Sequence, residues 1–350
     1  MNKFNIQKLV RENVRGLKPY SSARDEYVSD GSEMIFLDAN ENPFENGVNR
    51  YPDPQQRNLK AVLAKQKEVK PENILFGNGS DEVLDLIFRA FCEPKEDTII
   101  TLPPSYGMYN VLAGINNVEN KEILLTLDFE PNVAAILKEA DAHAKILFLC
   151  SPNNPTANSF AKDKVITLLQ EFKGLVVIDE AYIDFSKEES WLRELKNYNN
   201  LIITQTLSKA YGMAGIRLGI CFASEEIIAI LNKIKPPYNV NELSQQRALE
   251  RVLDVEAIQS EVAEILSERA LLTKALQELN FVQRVFASDA NFILAKVDDA
   301  TNRYQQLLKL GIVVRNRTNQ PLCENTLRFT VGTKQENVKL ISALKLISQF

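Results

Sequence analysis

Val176-Val177-Ile178-Asp179-Glu180-Ala181-Tyr182 is a short apolar run that ends in acid. Four β-branched or acidic steps with no polar alternation fit a strand buried on both faces, as in the middle of a parallel sheet. The same grammar repeats on either side. Residues 98–102, 123–127, 146–150, 201–204 and 218–222 are further apolar runs. Amphipathic segments lie between several of them, the clearest being 162–172, with Val165, Ile166, Leu168 and Leu169 on one side. This alternation predicts an α/β fold, a mostly parallel sheet with helices on both faces.

Beyond it the pattern changes. Residues 242–279 contain no Pro or Gly and read as one continuous helix able to bridge two domains. Residues 292–297, 312–315 and 327–331 are strand-like, with helical 304–310 among them, and the chain ends in a helix that places Val338, Ile341, Leu344 and Ile347 on one face. The expected division is an N-terminal arm contributing to the small domain (1–44), a large domain (45–241), and a small α+β domain opened by the linking helix (242–350). A chain of 350 residues is long enough for two such cores.

Composition removes several classes of function. Lys+Arg 41 against Asp+Glu 46 gives a net charge of −5, the wrong sign for a protein that binds nucleic acid by releasing counterions. Cys92, Cys150, Cys221 and Cys323 are far apart and form no CxxC pair, so they read as reduced thiols of a cytosolic protein. His143 is the single histidine, which leaves no zinc cage and no multi-histidine metal site, and no metal is expected. A proton shuttle here must be Lys, Tyr or a carboxylate. The first twenty residues are charged throughout and no apolar run nears the ~20 residues of a membrane span, so a soluble cytoplasmic protein is expected.

Four clusters carry chemistry. In Thr206-Leu207-Ser208-Lys209-Ala210, a lysine follows a strand beside two hydroxyls, and Arg217 lies eight residues on. Such an amine condenses with an aldehyde once burial or a neighbouring cation lowers its pKa from ~10.4. Asp179 closes its strand where open α/β sheets bind ligands, with Tyr182 three residues on. Ser151-Pro152-Asn153-Asn154-Pro155-Thr156 follows another strand, and Gly77-Asn78-Gly79-Ser80-Asp81-Glu82 opens a helix whose N-terminus suits a phosphate. Taken singly, each fits a bland role: a solvated loop lysine, a helix cap, a proline turn, Ser80 as an N-cap. Together they supply an amine, an acid, a phenol, an amide, an arginine and a helix N-terminus. That set matches pyridoxal 5′-phosphate, which needs a lysine for its aldehyde, an acid for its ring nitrogen, donors for its ring oxygen and a cradle for its phosphate.

At this point the chain resembles the pyridoxal-phosphate-dependent transferases of fold type I, in particular the class-II-like aminotransferases and, within them, the histidinol-phosphate aminotransferase family. The likeness spans nearly the whole chain. It rests on Arg11-Glu12-Asn13-Val14-Arg15, Pro19-Tyr20 and Ser22-Ala23-Arg24, on Leu37-Asp38-Ala39-Asn40-Glu41-Asn42-Pro43 and on Arg50-Tyr51-Pro52-Asp53. Pro103-Pro104-Ser105-Tyr106-Gly107-Met108-Tyr109 and Leu327-Arg328-Phe329-Thr330-Val331-Gly332-Thr333 complete it. The resemblance implies that Lys209 bonds the coenzyme, Asp179 pairs with its ring nitrogen, Asn154 and Tyr182 bond its ring oxygen, and Tyr109 stacks on its face. Gly79, Ser80, Asp81, Thr206, Ser208 and Arg217 would surround its phosphate. Tyr51 would reach the phosphate of a neighbouring subunit, making the active unit a homodimer. Catalysis would fall to Lys209, Asp179 and Tyr182, and the substrate to Arg315, Arg328, Tyr20 and Asn40.

The implied reaction is reversible transamination between L-histidinol phosphate and 2-oxoglutarate in histidine biosynthesis. Arginine forks suit carboxylate and phosphate alike, so one site can take both partners in turn. Aromatic amino-acid aminotransferases and threonine-phosphate decarboxylases share much of the pattern. A silent ligand sensor on the same fold is expected to carry a DNA-binding module, for which a pattern beginning near residue 10 leaves no room. The chain departs from the family at Ala157-Asn158, where glycine is usual after Pro-Thr. Asn158 is expected to take the left-handed backbone there.

Overall fold

The computed structural model describes residues 4–20 and 34–349. Ser22, Ala23 and Arg24 lie outside the described residues. Seven strands, β1 (Ile74–Asn78), β2 (Thr98–Thr101), β3 (Glu119–Glu122), β4 (Ala144–Cys150), β5 (Leu175–Asp179), β6 (Leu201–Thr206) and β7 (Leu218–Ala223), form one sheet in the order β1-β7-β6-β5-β4-β2-β3. Only β7 runs against its neighbours; β6, β5, β4, β2 and β3 pair in parallel.

The unbroken apolar runs follow from this architecture. In β4, Leu147 and Leu149 enter one core while Ile146 and Phe148 enter the other; in β5, Val176 and Ile178 oppose Val177 in the same way. The middles of these two strands are apolar without alternation because a period of two feeds two hydrophobic layers, one on each face. The helices Gly79–Phe91 and Glu225–Ile234 cover one layer, and Arg57–Lys67 and Lys162–Glu171 the other.

A second sheet, antiparallel throughout, is built from β8 (Val282–Val285), β9 (Phe292–Val297), β10 (Arg315–Asn316) and β11 (Thr326–Thr330) in the order β10-β11-β9-β8. Its apolar face packs with the helices Val255–Gln277, Ala300–Lys309 and Lys334–Ile347 around a separate core.

Several expectations shift. The strand expected at 123–127 lies instead at Glu119–Glu122, and Leu124 and Leu127 are exposed: pairing with β2 outweighs the apolar run. β1 and β8 escape a hydrophobicity reading because Gly77 and Asn78 resemble a turn and Gln283 and Arg284 interrupt the apolar signal. The continuous helix expected over 242–279 is two, Glu242–Leu253 and Val255–Gln277, separated at Asp254. Asp254 leaves helical geometry at φ −85°, ψ 61°, and its carboxylate caps the second helix by accepting from the Ala257 N–H. In the last helix the buried face is Leu340, Ala343, Leu344 and Ile347, and Val338 is exposed. Among the described residues no helix is long and apolar enough to cross a membrane.

Candidate active site

The carboxyl ends of β4, β5 and β6 meet at a cavity of about 140 Å³, whose wall includes Cys150, Asn154, Asp179, Tyr182, Thr206 and Lys209. This is the edge at which a parallel sheet leaves its strand ends open to a ligand.

Asp179 is the last residue of β5 and is buried. The Tyr109 hydroxyl donates to its Oδ2 (2.8 Å) and the Ala181 N–H to its Oδ1 (3.2 Å). Burial pushes the carboxyl pKa up while these two bonds pull it back. A carboxylate so placed gains most from a cationic partner in the cavity. Glu180 follows immediately and turns to the other side, where it too is buried. It accepts from the Ser190 hydroxyl (2.6 Å), the Trp191 N–H (2.6 Å) and the Gln205 amide (2.8 Å). One acid therefore faces the cavity and the other ties down the 190–191 segment.

Lys209 comes off the end of β6 and reaches the cavity from solvent. Partial burial and the Arg328 guanidinium hold its amine below the usual lysine value, with Asp179 acting in the opposite sense. Its Nζ lies 5.7 Å from the centre of the Tyr182 ring. Tyr182 is fixed edge-on against Phe292 (5.1 Å), and burial raises its phenol pKa, so its hydroxyl stays protonated and able to donate. Asn154 Oδ1 accepts from Arg328 Nη1, which ties the amide to the second sheet.

The helix Gly79–Phe91 points its N-terminus at the same space. Gly79 (φ +74°) needs its missing side chain: a Cβ there would lie 2.7 Å from Arg217 Nη2. Gly219 lets β7 press against the helix start, since its Cβ would fall 2.2 Å from the Ser80 backbone nitrogen. Ser80, Thr206, Ser208 and Arg217 line the wall here, and the Ser208 N–H donates to Thr206 Oγ1 (3.1 Å). Asp81 holds two wall residues, lying 3.6 Å from Arg217 and accepting from the Tyr106 hydroxyl (3.1 Å). A carboxylate cannot donate to an anion, so its side chain orients the cradle and leaves anion contact to the arginine and hydroxyls.

Two sequence expectations are corrected. Tyr109, expected on the ring face, is fully buried behind Asp179 and stacked on Phe148 (4.7 Å); the phenol that faces the cavity from this motif is Tyr106. The two tyrosines three apart could have been told apart only by knowing that the helix begins at Met108. The left-handed residue after Pro-Thr is Ala157 (φ +70°), and Asn158 serves by its side chain. Asn158 accepts from the Thr156 hydroxyl (2.6 Å) and donates to the Phe129 carbonyl (3.0 Å).

Arg328 on β11 stands directly opposite Arg315 on β10, with its guanidinium 5.0 Å from the Phe292 ring. Tyr51 and Asn40 are elsewhere. They line a different cleft of about 440 Å³ with Glu41, Arg50 and Leu243, and Tyr51 is half exposed and stacked on Tyr238 at 4.5 Å. Tyr20 is exposed. Within one chain these three are not brought to Lys209. His143 is exposed in a turn before β4.

The arrangement can bind a carbonyl compound through an amine, hold a cation beside a buried acid, donate to an oxyanion from a phenol, and seat a phosphate. Comparison with known proteins agrees. The family model for aminotransferase class I and II matches residues 36–344. A histidinol-phosphate aminotransferase of Flavobacterium johnsoniae is 67% identical over 99% of this chain and 100% of its own length. The crystal structure of the histidinol-phosphate aminotransferase from Clostridium acetobutylicum superposes with a TM-score of 0.80 at 28% identity, covering 86% of this chain and 91% of that one. That of the Sinorhizobium meliloti enzyme in complex with pyridoxal-5′-phosphate shares the fold, with a TM-score of 0.78 at 21% identity over 86% of this chain and 83% of that one.

Proposed function

This chain belongs to the class I and II aminotransferases, and from that premise we propose that it exchanges an amino group between L-histidinol phosphate and 2-oxoglutarate, using pyridoxal 5′-phosphate. The products are imidazole acetol phosphate and glutamate. The observation that carries the reading is the pairing of a lysine–aspartate cavity with the Arg328 guanidinium, which reaches Asn154 on its wall from the second sheet.

The residues present fit the coenzyme. Asp179 is a buried carboxylate in want of a cation, Tyr182 is a neutral donor, and Gly79 leaves the space a phosphate cradle needs beside Arg217. Lys209 would hold the aldehyde, Asp179 the ring nitrogen, Tyr182 and Asn154 the ring oxygen. Ser80, Thr206, Ser208 and Arg217 would hold the phosphate. When bound, the coenzyme supplies an electrophilic carbon and a ring that accepts electrons.

The protein's own residues do the rest. Lys209, displaced by the incoming amine, would take the proton from the substrate carbon on its Nζ and deliver it to the coenzyme's reactive carbon, so that the amino group stays with the coenzyme. Burial and Arg328 make its neutral form accessible, as a base at that position requires. Asp179 keeps a positive charge next to it favourable, and Tyr109 orients Asp179 from behind. Arg328 and Arg315 would bind the substrate's anionic end, phosphate in one half-reaction and carboxylate in the other. We propose a homodimer in which Tyr51 of one subunit reaches the neighbouring site, with Tyr20 and Asn40 completing it. That arrangement gives a use to a tyrosine left half exposed and away from its own lysine. We further propose the division into 1–44, 45–241 and 242–350, and a cytoplasmic location for this biosynthetic step.

Purified holoenzyme offered single half-reactions tests the reading. Amine transfer from histidinol phosphate and from glutamate is expected. Carbon dioxide release from phosphothreonine, or preference for an aromatic amino acid over histidinol phosphate, would refute it.

A further inference from the structure

Arg317 has no part in the site as described so far, and its surroundings are not those of a surface residue. It lies two residues beyond Arg315 on an extended segment, and its N–H donates to the Thr326 carbonyl (2.9 Å), so the pairing of β10 with β11 continues one step past the strand. Residues two apart on such a segment share a face. Arg315, Arg317 and, across the ladder, Arg328 are thus on one side of the same edge of the sheet. Arg315 and Arg317 also line one cleft of about 300 Å³.

Three like charges on one face oppose one another. Among the described residues neither Arg317 nor Arg328 is relieved by a carboxylate; the charges acting on Arg317 are chiefly those of Arg328 and Arg315, with Tyr182 and Cys323 as weaker counterweights. Burial and these two guanidiniums push the Arg317 pKa down to about 10, which leaves it charged at neutral pH. The Nε atoms of both Arg317 and Arg328 are buried without a hydrogen-bond partner. A buried donor left unmatched destabilises the fold. Two of them, set beside a repulsive cluster, are a poor solution to folding and a good one to binding a multiply charged anion.

A single fork satisfies both oxygens of a carboxylate. A phosphate monoester carries close to two charges at neutral pH and three terminal oxygens, enough acceptors for a third guanidinium. We infer that Arg317 is a specificity-determining residue, whose guanidinium contacts the phosphate of the phosphorylated substrate and leaves the carboxylate of the alternate substrate to Arg328 and Arg315. The inference deepens the functional reading above and rests on it.

The test is R317Q holoenzyme in separate half-reactions with histidinol phosphate and with glutamate. Its kcat/KM for histidinol phosphate is expected to fall by about 10- to 100-fold, the worth of a hydrogen bond to a charged group, and that for glutamate by less than about 3-fold. R317K keeps the charge and loses the planar fork, and an intermediate loss confined to the phosphorylated donor is expected. Equal losses for both donors, or an unchanged ratio between them in either variant, would overturn the inference while the functional reading stands. Wild-type enzyme that reacts with glutamate and not with histidinol phosphate would overturn both.

Discussion

Asp179 shows how a single side chain is tuned by what stands behind it. Burial alone would drive its carboxyl toward the neutral form, and the Tyr109 hydroxyl is the first of the groups that counter this. Y109F should therefore raise the Asp179 pKa and weaken the hold on a cationic ring nitrogen. Coenzyme affinity, measured by titrating the apoenzyme, is expected to drop by about tenfold, in line with one bond to a charged acceptor. An unchanged affinity would mean that Tyr109 only fills space against Phe148. At this scale the sequence was legible where chemistry is carried by residue type at a strand end. Lys209, Asp179, Tyr182 and Asn154 all reach one cavity. It was illegible where two like residues compete for one task, as with Tyr106 and Tyr109, because helix phase decides between them. Ala157 was missed for a related reason: its left-handed backbone is imposed by the turn, against the preference of its own side chain.

At the scale of elements, the proposed phosphate cradle depends on how close β7 can come to the helix Gly79–Phe91. The limit is set by Gly219, where a methyl group would meet backbone atoms of Gly79 and Ser80 at 2.2–2.6 Å. Backbone cannot swing aside as a side chain can. G219A is expected to destabilise the fold by about 3 kcal/mol, read from the midpoint of urea unfolding, and to release coenzyme before the chain unfolds. Stability and affinity close to wild type would show that the strand and helix can part without cost. The long strands β4 to β7 were legible because both faces are apolar. The break at Asp254 was not, since hydrophobic periodicity carries through it and only the capping preference of aspartate marks the stop.

The whole molecule places the lysine, the arginines and Tyr51 on three different parts of the fold. Lys209 follows a strand of the seven-stranded sheet, Arg315 and Arg328 lie on the four-stranded one, and Tyr51 is on a segment that lines a different cleft. If Tyr51 serves a partner's site, K209A and Y51A enzymes should each be nearly inactive alone. Mixed, unfolded together and refolded, they should recover about a quarter of wild-type activity: half the dimers are hybrids, and each hybrid has one intact site. No recovery would place Tyr51 in its own subunit's chemistry or in none. Within one chain Tyr51 and Lys209 line different clefts, and the proximity proposed for them would belong to the assembly.

The two neighbouring acids at the end of β5 have a consequence for how this scaffold can change. One faces the cavity and its successor faces the framework, so meaning there resides in parity as much as in identity. Losing or gaining one residue within the strand would exchange the two, stranding the cavity's carboxyl among Ser190, Trp191 and Gln205 and handing the cavity a longer acid. Adding two would restore the facing but carry the acid ~7 Å along the strand axis, past its tyrosine. Within β5 itself the facing of these acids therefore fixes the count of residues.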